Sequence, residues 1–138
     1  MADATATMNE HALLVGNLFP WHEVYTPDAQ KTIAFYSEVF GYGTQSMDMG
    51  GGCTYHMLTK DGKSFGGVMD TTSMPEQNIP PHWAVYMSVD DVDARLAKAV
   101  ELGATVVVPP MDIPSVGRMT LIADPLGAHL WLYKSESA

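Results

Sequence analysis

The 138-residue chain has sixteen acidic and seven basic residues, a net charge of −9, and 46% hydrophobic residues. The chain is apolar enough to form the core of one folded domain. Its basic residues are not clustered, which argues against a nucleic-acid-binding surface. The single cysteine, Cys53, excludes an internal disulfide and any multi-cysteine metal motif. No segment has the length of a membrane span and the start is not basic, so the sequence predicts a soluble cytoplasmic protein.

The first half of the chain predicts a β-α-β-β-β unit. Residues 1–14 are predicted to be a flexible tail, and the loosely alternating segment 16–26 predicts a strand. Asp28 as an N-cap, an apolar stripe and Gly41 as a stop predict a helix over 28–40. Gly-rich and Asp-Gly turns separate the next three predicted strands, near residues 43–49, 53–59 and 64–69.

The second half repeats this order of elements after a linker that contains three prolines. The linker covers residues 71–81, and a strand, a helix over 91–102 and three more strands follow it. The repeat predicts one α+β domain over residues 15–135, built from units 15–70 and 82–135. Each unit leaves one sheet face uncovered, so the two units are expected to form a cavity between curved mixed sheets.

Three segments resemble the vicinal oxygen chelate superfamily, which includes glyoxalase I, bleomycin-resistance proteins and extradiol dioxygenases. They are TPDAQKTIAFYSEVFGY, VDDVDARLAKAVELGATV and DPLGAHLWLY. The resemblance covers residues 16–134 and implies two βαβββ units, with homodimers as the usual assembly. Four further segments resemble a bacterial glyoxalase-like subgroup that lacks the metal ligands: WHEVYTPD, GGVMD, PPHWAVYMSVDDVDA and DIPSVGRMTLIADPLGA. The superfamily includes isomerases, dioxygenases, lyases and binding proteins, so the fold does not decide the function.

The resemblance implies four positions at which metal-dependent members carry His, Gln or Glu. Here these positions carry Trp21, Ala84, a residue near Gly66, and Trp131. None of these side chains binds a metal ion, so the usual site is expected to be absent and no cofactor is expected.

A displaced metal site is the alternative. His82 and His129 each precede one of these positions by two residues, and a step of two keeps the same strand face. The two imidazoles could then hold a divalent metal beside the usual site. The other interpretation is that His82 lies near solvent at a strand start and His129 hydrogen-bonds a neighbour.

An aromatic, partly acidic pocket is the second candidate site. Its predicted ligand-binding residues are Trp21, Glu23, Tyr86, Trp131, His82, His129 and Arg118, with Tyr133 as a further wall residue and methionines 47, 57, 87, 111 and 119 as adjustable walls. Ordinary core packing is the alternative for each aromatic residue.

Two charged residues have candidate roles in this pocket. Glu23 is the candidate general base, because burial among aromatic rings raises a carboxyl pKa, but it could also lie at a solvated rim. Arg118 could meet an anionic substrate group, or pair with Asp112 or Asp124.

Three functions follow from these features. The first is metal-independent binding of a small aromatic or conjugated molecule, with sequestration of an antibiotic or other xenobiotic as one role. The second is a lyase, isomerase or dioxygenase-like enzyme that uses Glu23 as base or the displaced His82 and His129 pair. The third is a partner-binding subunit with a filled cavity.

Overall fold

The computed structural model describes residues 18–50, 53–74 and 78–136. The predicted tail over 1–14 lies outside these residues. The predicted β-α-β-β-β order is confirmed in both halves, and the α+β class with it. The first half contains β1 (Trp21–Thr26), α1 (Ala29–Phe40), β2 (Gly43–Gly50), β3 (Cys53–Lys60) and β4 (Lys63–Asp70). The second half contains β5 (His82–Ser88), α2 (Val92–Glu101), β6 (Thr105–Ile113), β7 (Gly117–Ala123) and β8 (His129–Ser135).

The chain divides into two compact units, and the first is formed by residues 21–84. Its strands are ordered β2-β3-β4-β1, with β1 parallel to β4 and the other neighbours antiparallel. One face of this sheet packs against α1. The buried core there consists of Val24, Ala29, Leu58 and Val68, with Ile33, Tyr36 and Phe65 packed against it.

Capping residues fix the ends of α1. The Asp28 carboxylate accepts a hydrogen bond from the Lys31 backbone N–H at 3.0 Å, which satisfies one of the unpaired donors of the first turn. At the other end Gly41 adopts a φ of 76°, a left-handed conformation that ends the helix. The helix predicted over 28–40 is therefore correct within one residue at each end.

The second unit contains residues 1–20 and 85–138, of which 18–20 and 85–136 are described. Its strands are ordered β5-β8-β7-β6. β5 runs parallel to β8 with Tyr86 opposite Trp131, and β7 is antiparallel to both of its neighbours. Asp91 caps α2 by accepting from the Ala94 backbone N–H at 3.0 Å.

Two segments differ from the sequence expectation. β6 runs from Thr105 to Ile113 although it contains Pro109 and Pro110, residues that normally argue against a strand. β6 ends the strand order of its unit, and its register with β7 shifts between Val108 and Met111, so the prolines remove no ladder hydrogen bond from a central strand. The predicted linker begins with a 3₁₀ turn, Thr71–Ser73, capped by Asp70.

No helix in the described ranges has both the length and the apolar character needed to cross a membrane.

Candidate functional site

A group of three polar and aromatic side chains lies in the first unit, on β1 and β3, with Glu23 buried and Trp21 and Tyr55 half-buried. Tyr55 Oη donates a hydrogen bond to Glu23 Oε2 at 2.5 Å, and Trp21 Nε1 donates to Tyr55 Oη at 3.0 Å. Glu23 is only 3% exposed. The carboxylate expected to be a candidate base is therefore deeply buried rather than at a solvated rim, and it accepts a charge-assisted hydrogen bond.

Gly67 on β4 makes room for this group. Gly67 lies opposite Glu23 in the β1–β4 ladder and opposite Met57 in the β3–β4 ladder. A Cβ at residue 67 would overlap the phenol of Tyr55. Because side chains alternate along a strand, this face is the one opposite the core formed with α1. The Tyr55 ring thus fills the space that a side chain at residue 67 of β4 would otherwise occupy.

The phenol of Tyr55 keeps its proton. Burial raises the pKa of Tyr55 well above its ordinary value, and the charge of Glu23 and the hydrogen bond to it raise the pKa further. The hydrogen bond from Trp21 acts in the opposite direction but is a smaller effect. Tyr55 therefore stays a donor to Glu23 over the physiological pH range.

The second unit carries a stack of aromatic rings. Tyr86 and Trp131 are 6% and 5% exposed, and their rings lie parallel with centroids 5.1 Å apart. Tyr133 meets Tyr86 edge-on at 6.3 Å and donates its hydroxyl to the Val116 carbonyl at 3.0 Å. Within the described residues, no group accepts a hydrogen bond from the buried Trp131 Nε1.

The two units fill an equivalent position of their sheets with aromatic rings from different strands. The pair Glu23–Gly67 in the β1–β4 ladder corresponds to the pair Tyr86–Trp131 in the β5–β8 ladder. In the second unit the last strand supplies an aromatic ring at this position. In the first unit the last strand supplies only Gly67, and the ring comes from Tyr55 on the neighbouring strand.

The positions at which the family resemblance implies metal ligands do not fit a metal ion. Trp21, Ala84, Trp131 and the Gly66-Gly67 pair offer no carboxylate, imidazole or thiolate. Among the described residues there is also no cluster of three or more His, Cys, Asp or Glu side chains that would hold one.

The two candidate histidines of the displaced site are both exposed. His82 Nδ1 lies 2.6 Å from the Pro80 carbonyl oxygen, and its ring stacks on Tyr25 with centroids 4.9 Å apart. His129 Nδ1 lies 3.1 Å from the Gly127 carbonyl oxygen. Each imidazole thus places Nδ1 within hydrogen-bond distance of a backbone carbonyl.

Arg118 is held by two carboxylates. Its guanidinium makes a bidentate pair with Asp93 at 2.8 and 2.9 Å and a further bond to Asp112 at 2.9 Å. These partners raise the pKa of Arg118. Asp124, the other expected partner, instead accepts from the backbone N–H groups of Leu126 and Ala128 in its own turn. An anionic substrate group would have to compete with Asp93 and Asp112 for Arg118.

Sequence reasoning missed Tyr55 and Gly67. Two features of the sequence point to them. Tyr55 lies two residues before Met57 and therefore on the same face of its strand. The Gly66-Gly67 pair inside a strand indicates a close approach of another group. Of the methionines expected as pocket walls, Met57 and Met119 are buried. Met47 and Met111 are exposed.

Two βαβββ units of this topology define a class of α+β proteins, and comparison with known families gives the particular one. The model of the Glyoxalase/Bleomycin resistance protein/Dioxygenase superfamily matches residues 18–132. The chain belongs to this superfamily, which confirms the resemblance at that level.

Two curated relatives are similar over most of the chain. CFP32 of Mycobacterium tuberculosis, which carries the name glyoxylase, is 41% identical over 108 residues, covering 78% of this chain and 40% of CFP32. The anthracycline biosynthesis protein DnrV of Streptomyces peucetius is 30% identical over 125 residues, covering 83% of this chain and 46% of DnrV. The chain thus spans less than half the length of these relatives.

Solved structures share the fold. Streptomyces coelicolor methylmalonyl-CoA epimerase matches with a TM-score of 0.62 and 20% identity, over 87% of this chain and 95% of the epimerase. NAD-dependent benzaldehyde dehydrogenase of Legionella pneumophila matches with a TM-score of 0.55 and 16% identity, over 84% of this chain and 98% of that one. At such identity the similarity concerns the fold alone.

Proposed function

We propose that this chain binds a small aromatic or conjugated organic molecule without a metal ion. The observation that carries the proposal is the hydrogen-bonded Trp21–Tyr55–Glu23 group, which combines two half-buried aromatic rings with one buried carboxylate. The absence of metal-binding side chains at Trp21, Ala84, Trp131 and the Gly66-Gly67 pair supports metal independence, because the chemistry of metal-dependent relatives needs such ligands. Sequestration of an antibiotic or other xenobiotic is one role for such a protein.

The chemistry of the group favours a particular kind of ligand. Indole and phenol rings offer flat surfaces to a planar molecule, and a carboxylate favours a nearby amino or hydroxyl group. The name of DnrV refers to anthracyclines, which combine planar fused rings with hydroxyl and amino groups. An anthracycline is therefore the first probe.

The test is calorimetric titration with daunorubicin in the presence of EDTA. Wild-type protein should bind one equivalent, and Trp21→Ala should weaken binding by about tenfold or more, since a stacking surface is lost. Trp83→Ala is the matched control, because Trp83 is 42% exposed and makes no hydrogen bond to Tyr55 or Glu23. Binding that needs an added divalent ion, or equal affinity in Trp21→Ala, would contradict the proposal.

An enzyme of the same superfamily is the second candidate, with Glu23 as general base. The observation that favours it is the burial of the Glu23 carboxylate together with its hydrogen bond from the Tyr55 phenol. For any molecule found to bind, Glu23→Gln would then abolish turnover and proton exchange with solvent while binding remains. If wild-type protein leaves every bound molecule unchanged, the binding function stands and the catalytic one does not.

A further inference from the structure

The hairpin that joins β3 to β4 brings two lysines together. Lys60 and Lys63 lie directly opposite each other as the last pair of the β3–β4 ladder. Asp61 and Gly62 form the turn between them, with φ values of 52° and 78°. Like charges at facing positions of two strands repel each other. This pair therefore weakens the hairpin unless a group of opposite charge lies beside it.

No side chain in the part of the chain that the structure describes neutralises the two lysines. Lys60, Asp61 and Lys63 are all exposed, and none of them forms an ion pair with a described residue. By contrast, Arg95 and Arg118 each hold at least one aspartate. In a chain with sixteen acidic and seven basic residues, two facing cations are thus left available to an anion from outside the chain.

A cavity of about 350 Å³ opens beside the two lysines, a size within the usual range of small-molecule sites. We call it the hairpin site, and it is lined by Tyr42, Lys60, Asp61, Lys63, Ser64 and Phe65. Tyr42 and Phe65 form its apolar wall, with their rings edge-on and centroids 4.7 Å apart. Phe65 packs against the core and Tyr42 stacks on Phe40 at 5.3 Å, so the wall is ordered before a ligand arrives.

The repeat shows that the fold does not require these residues. The corresponding pair of the β7–β8 hairpin is Ala123 opposite His129, with no lysine on either strand. Counted from the N-caps of α1 and α2, Tyr42 corresponds to Thr105, so the aromatic wall is also missing there. The facing lysines and the ring beside them are therefore particular to the first unit.

We infer that the hairpin site binds the phosphate monoester of a small planar aromatic molecule. A doubly charged phosphate between Lys60 and Lys63 replaces their repulsion by two charge-assisted hydrogen bonds. Ser64 Oγ donates only a long hydrogen bond, 3.4 Å, to Gln45 Oε1, so its hydroxyl can donate to a phosphate oxygen instead. The aromatic part of the ligand then lies against the rings of the apolar wall.

The charge of the site decides which ligands it favours. The two lysines and Asp61 leave a net charge of +1 around the cavity. The ring contact must therefore add to the affinity, and inorganic phosphate alone should bind weakly. The inference does not rest on the function proposed above, because the Glu23 carboxylate favours an amino group whereas the lysines favour an anion. The two sites thus select ligands of opposite charge.

A titration with 1-naphthyl phosphate at low ionic strength, followed by ¹H–¹⁵N NMR, tests the inference. Wild-type protein should bind with a dissociation constant of about 0.1–1 mM, and the shifted amide signals should cluster at residues 60–65 and at Tyr42. Lys60→Ser and Lys63→Ser should each weaken binding by about fivefold or more, since each removes one of the two charges that face the phosphate. Lys31→Ser is the matched control and should leave binding unchanged, because Lys31 is likewise exposed and has no ion-pair partner among the described residues.

Two further probes separate the contributions of charge and ring. 1-Naphthol lacks the phosphate and inorganic phosphate lacks the ring, so each should bind at least about tenfold more weakly than 1-naphthyl phosphate. Removing one of two repelling charges should leave the urea midpoint equal to or above that of wild type, so weaker binding in the lysine variants does not reflect a loss of folding. Trp21→Ala should leave the hairpin signals and their dissociation constant unchanged, which separates this site from the aromatic group on β1 and β3.

Three results would overturn the inference. The first is wild-type protein whose hairpin signals do not move up to about 10 mM 1-naphthyl phosphate. The second is a double variant, K60S/K63S, that binds as tightly as wild type. The third is 1-naphthol or inorganic phosphate binding as tightly as 1-naphthyl phosphate, because the site would then use only one of the two groups of the ligand.

Discussion

Tyr55 occupies the space that a side chain at Gly67 would fill. The two residues lie on neighbouring strands, and the phenol reaches across β4 to donate to Glu23 at 2.5 Å. The hydrogen bond to the buried Glu23 carboxylate therefore depends on Gly67, which leaves the Tyr55 ring the space to reach it. This relationship ties the stability of the first unit to the candidate site.

Gly67→Ala should destabilise the protein by about 1–3 kcal/mol, because the new methyl group displaces the Tyr55 ring from a packed position. Urea unfolding measures the change. The cost should shrink in a Tyr55→Ala background, where the space is vacant, and a double-mutant cycle gives the coupling between the two residues. Equal cost in both backgrounds would show that Tyr55 is not what the methyl group meets.

Tyr55→Phe should change how stability depends on pH. The pKa of Tyr55 is raised by burial and by Glu23, so the folded protein keeps a proton that the unfolded chain loses near pH ~10. The contribution of Tyr55 is fully present below that pH, and stability falls as pH rises above it. Tyr55→Phe lacks this loss, so its urea midpoint should fall less steeply than that of wild type between about pH 9 and 11.

The same variant should be less stable at neutral pH by about 1–3 kcal/mol, because the buried Glu23 carboxylate loses a donor. Tyr42→Phe is the control, since Tyr42 contacts Phe40 and Phe65 rather than a carboxylate. It should keep the wild-type slope. Identical slopes for Tyr55→Phe and wild type would contradict the assigned cause of the shift.

Purified untagged protein should hold no tightly bound metal ion after dialysis against Zn²⁺, Ni²⁺, Mn²⁺ or Fe²⁺. The reason is that a stable site needs at least three suitable ligands, and His82 and His129 are the only two residues proposed for a displaced one. Elemental analysis gives the stoichiometry. About one ion per chain, lost in His129→Ala, would revive the displaced site and the metal-dependent enzyme.

Local signals were sufficient to predict the helices. Asp28 and Gly41 bracket α1, and Asp91 begins α2, because capping depends on residues within one turn of the helix end. The extent of β6 was harder to predict. Proline normally argues against a strand, and only the position of β6 at the end of its sheet makes Pro109 and Pro110 acceptable.

Features of the site that lie within one strand could be predicted from the sequence, whereas contacts between two strands could not. Strand alternation places Trp21 and Glu23 on one face, as expected. The contact between Tyr55 and Gly67 depends on the register of β3 against β4, which no short segment of sequence specifies. The Arg118 pair with Asp93 likewise joins a strand to a helix 25 residues away in sequence.

The three tryptophans of this chain lie in three different environments. Trp131 is 5% exposed and has no polar partner for its indole nitrogen among the described residues. Trp83 is 42% exposed, and Trp21 donates to the half-buried phenol of Tyr55. Indole emission moves to shorter wavelength as water is excluded, so each ring should fluoresce at its own wavelength. Trp83 then reports changes beside Tyr36, Trp21 reports events at Glu23, and Trp131 reports the packing of the second unit. The native chain thus carries three optical probes, and no dye has to be attached.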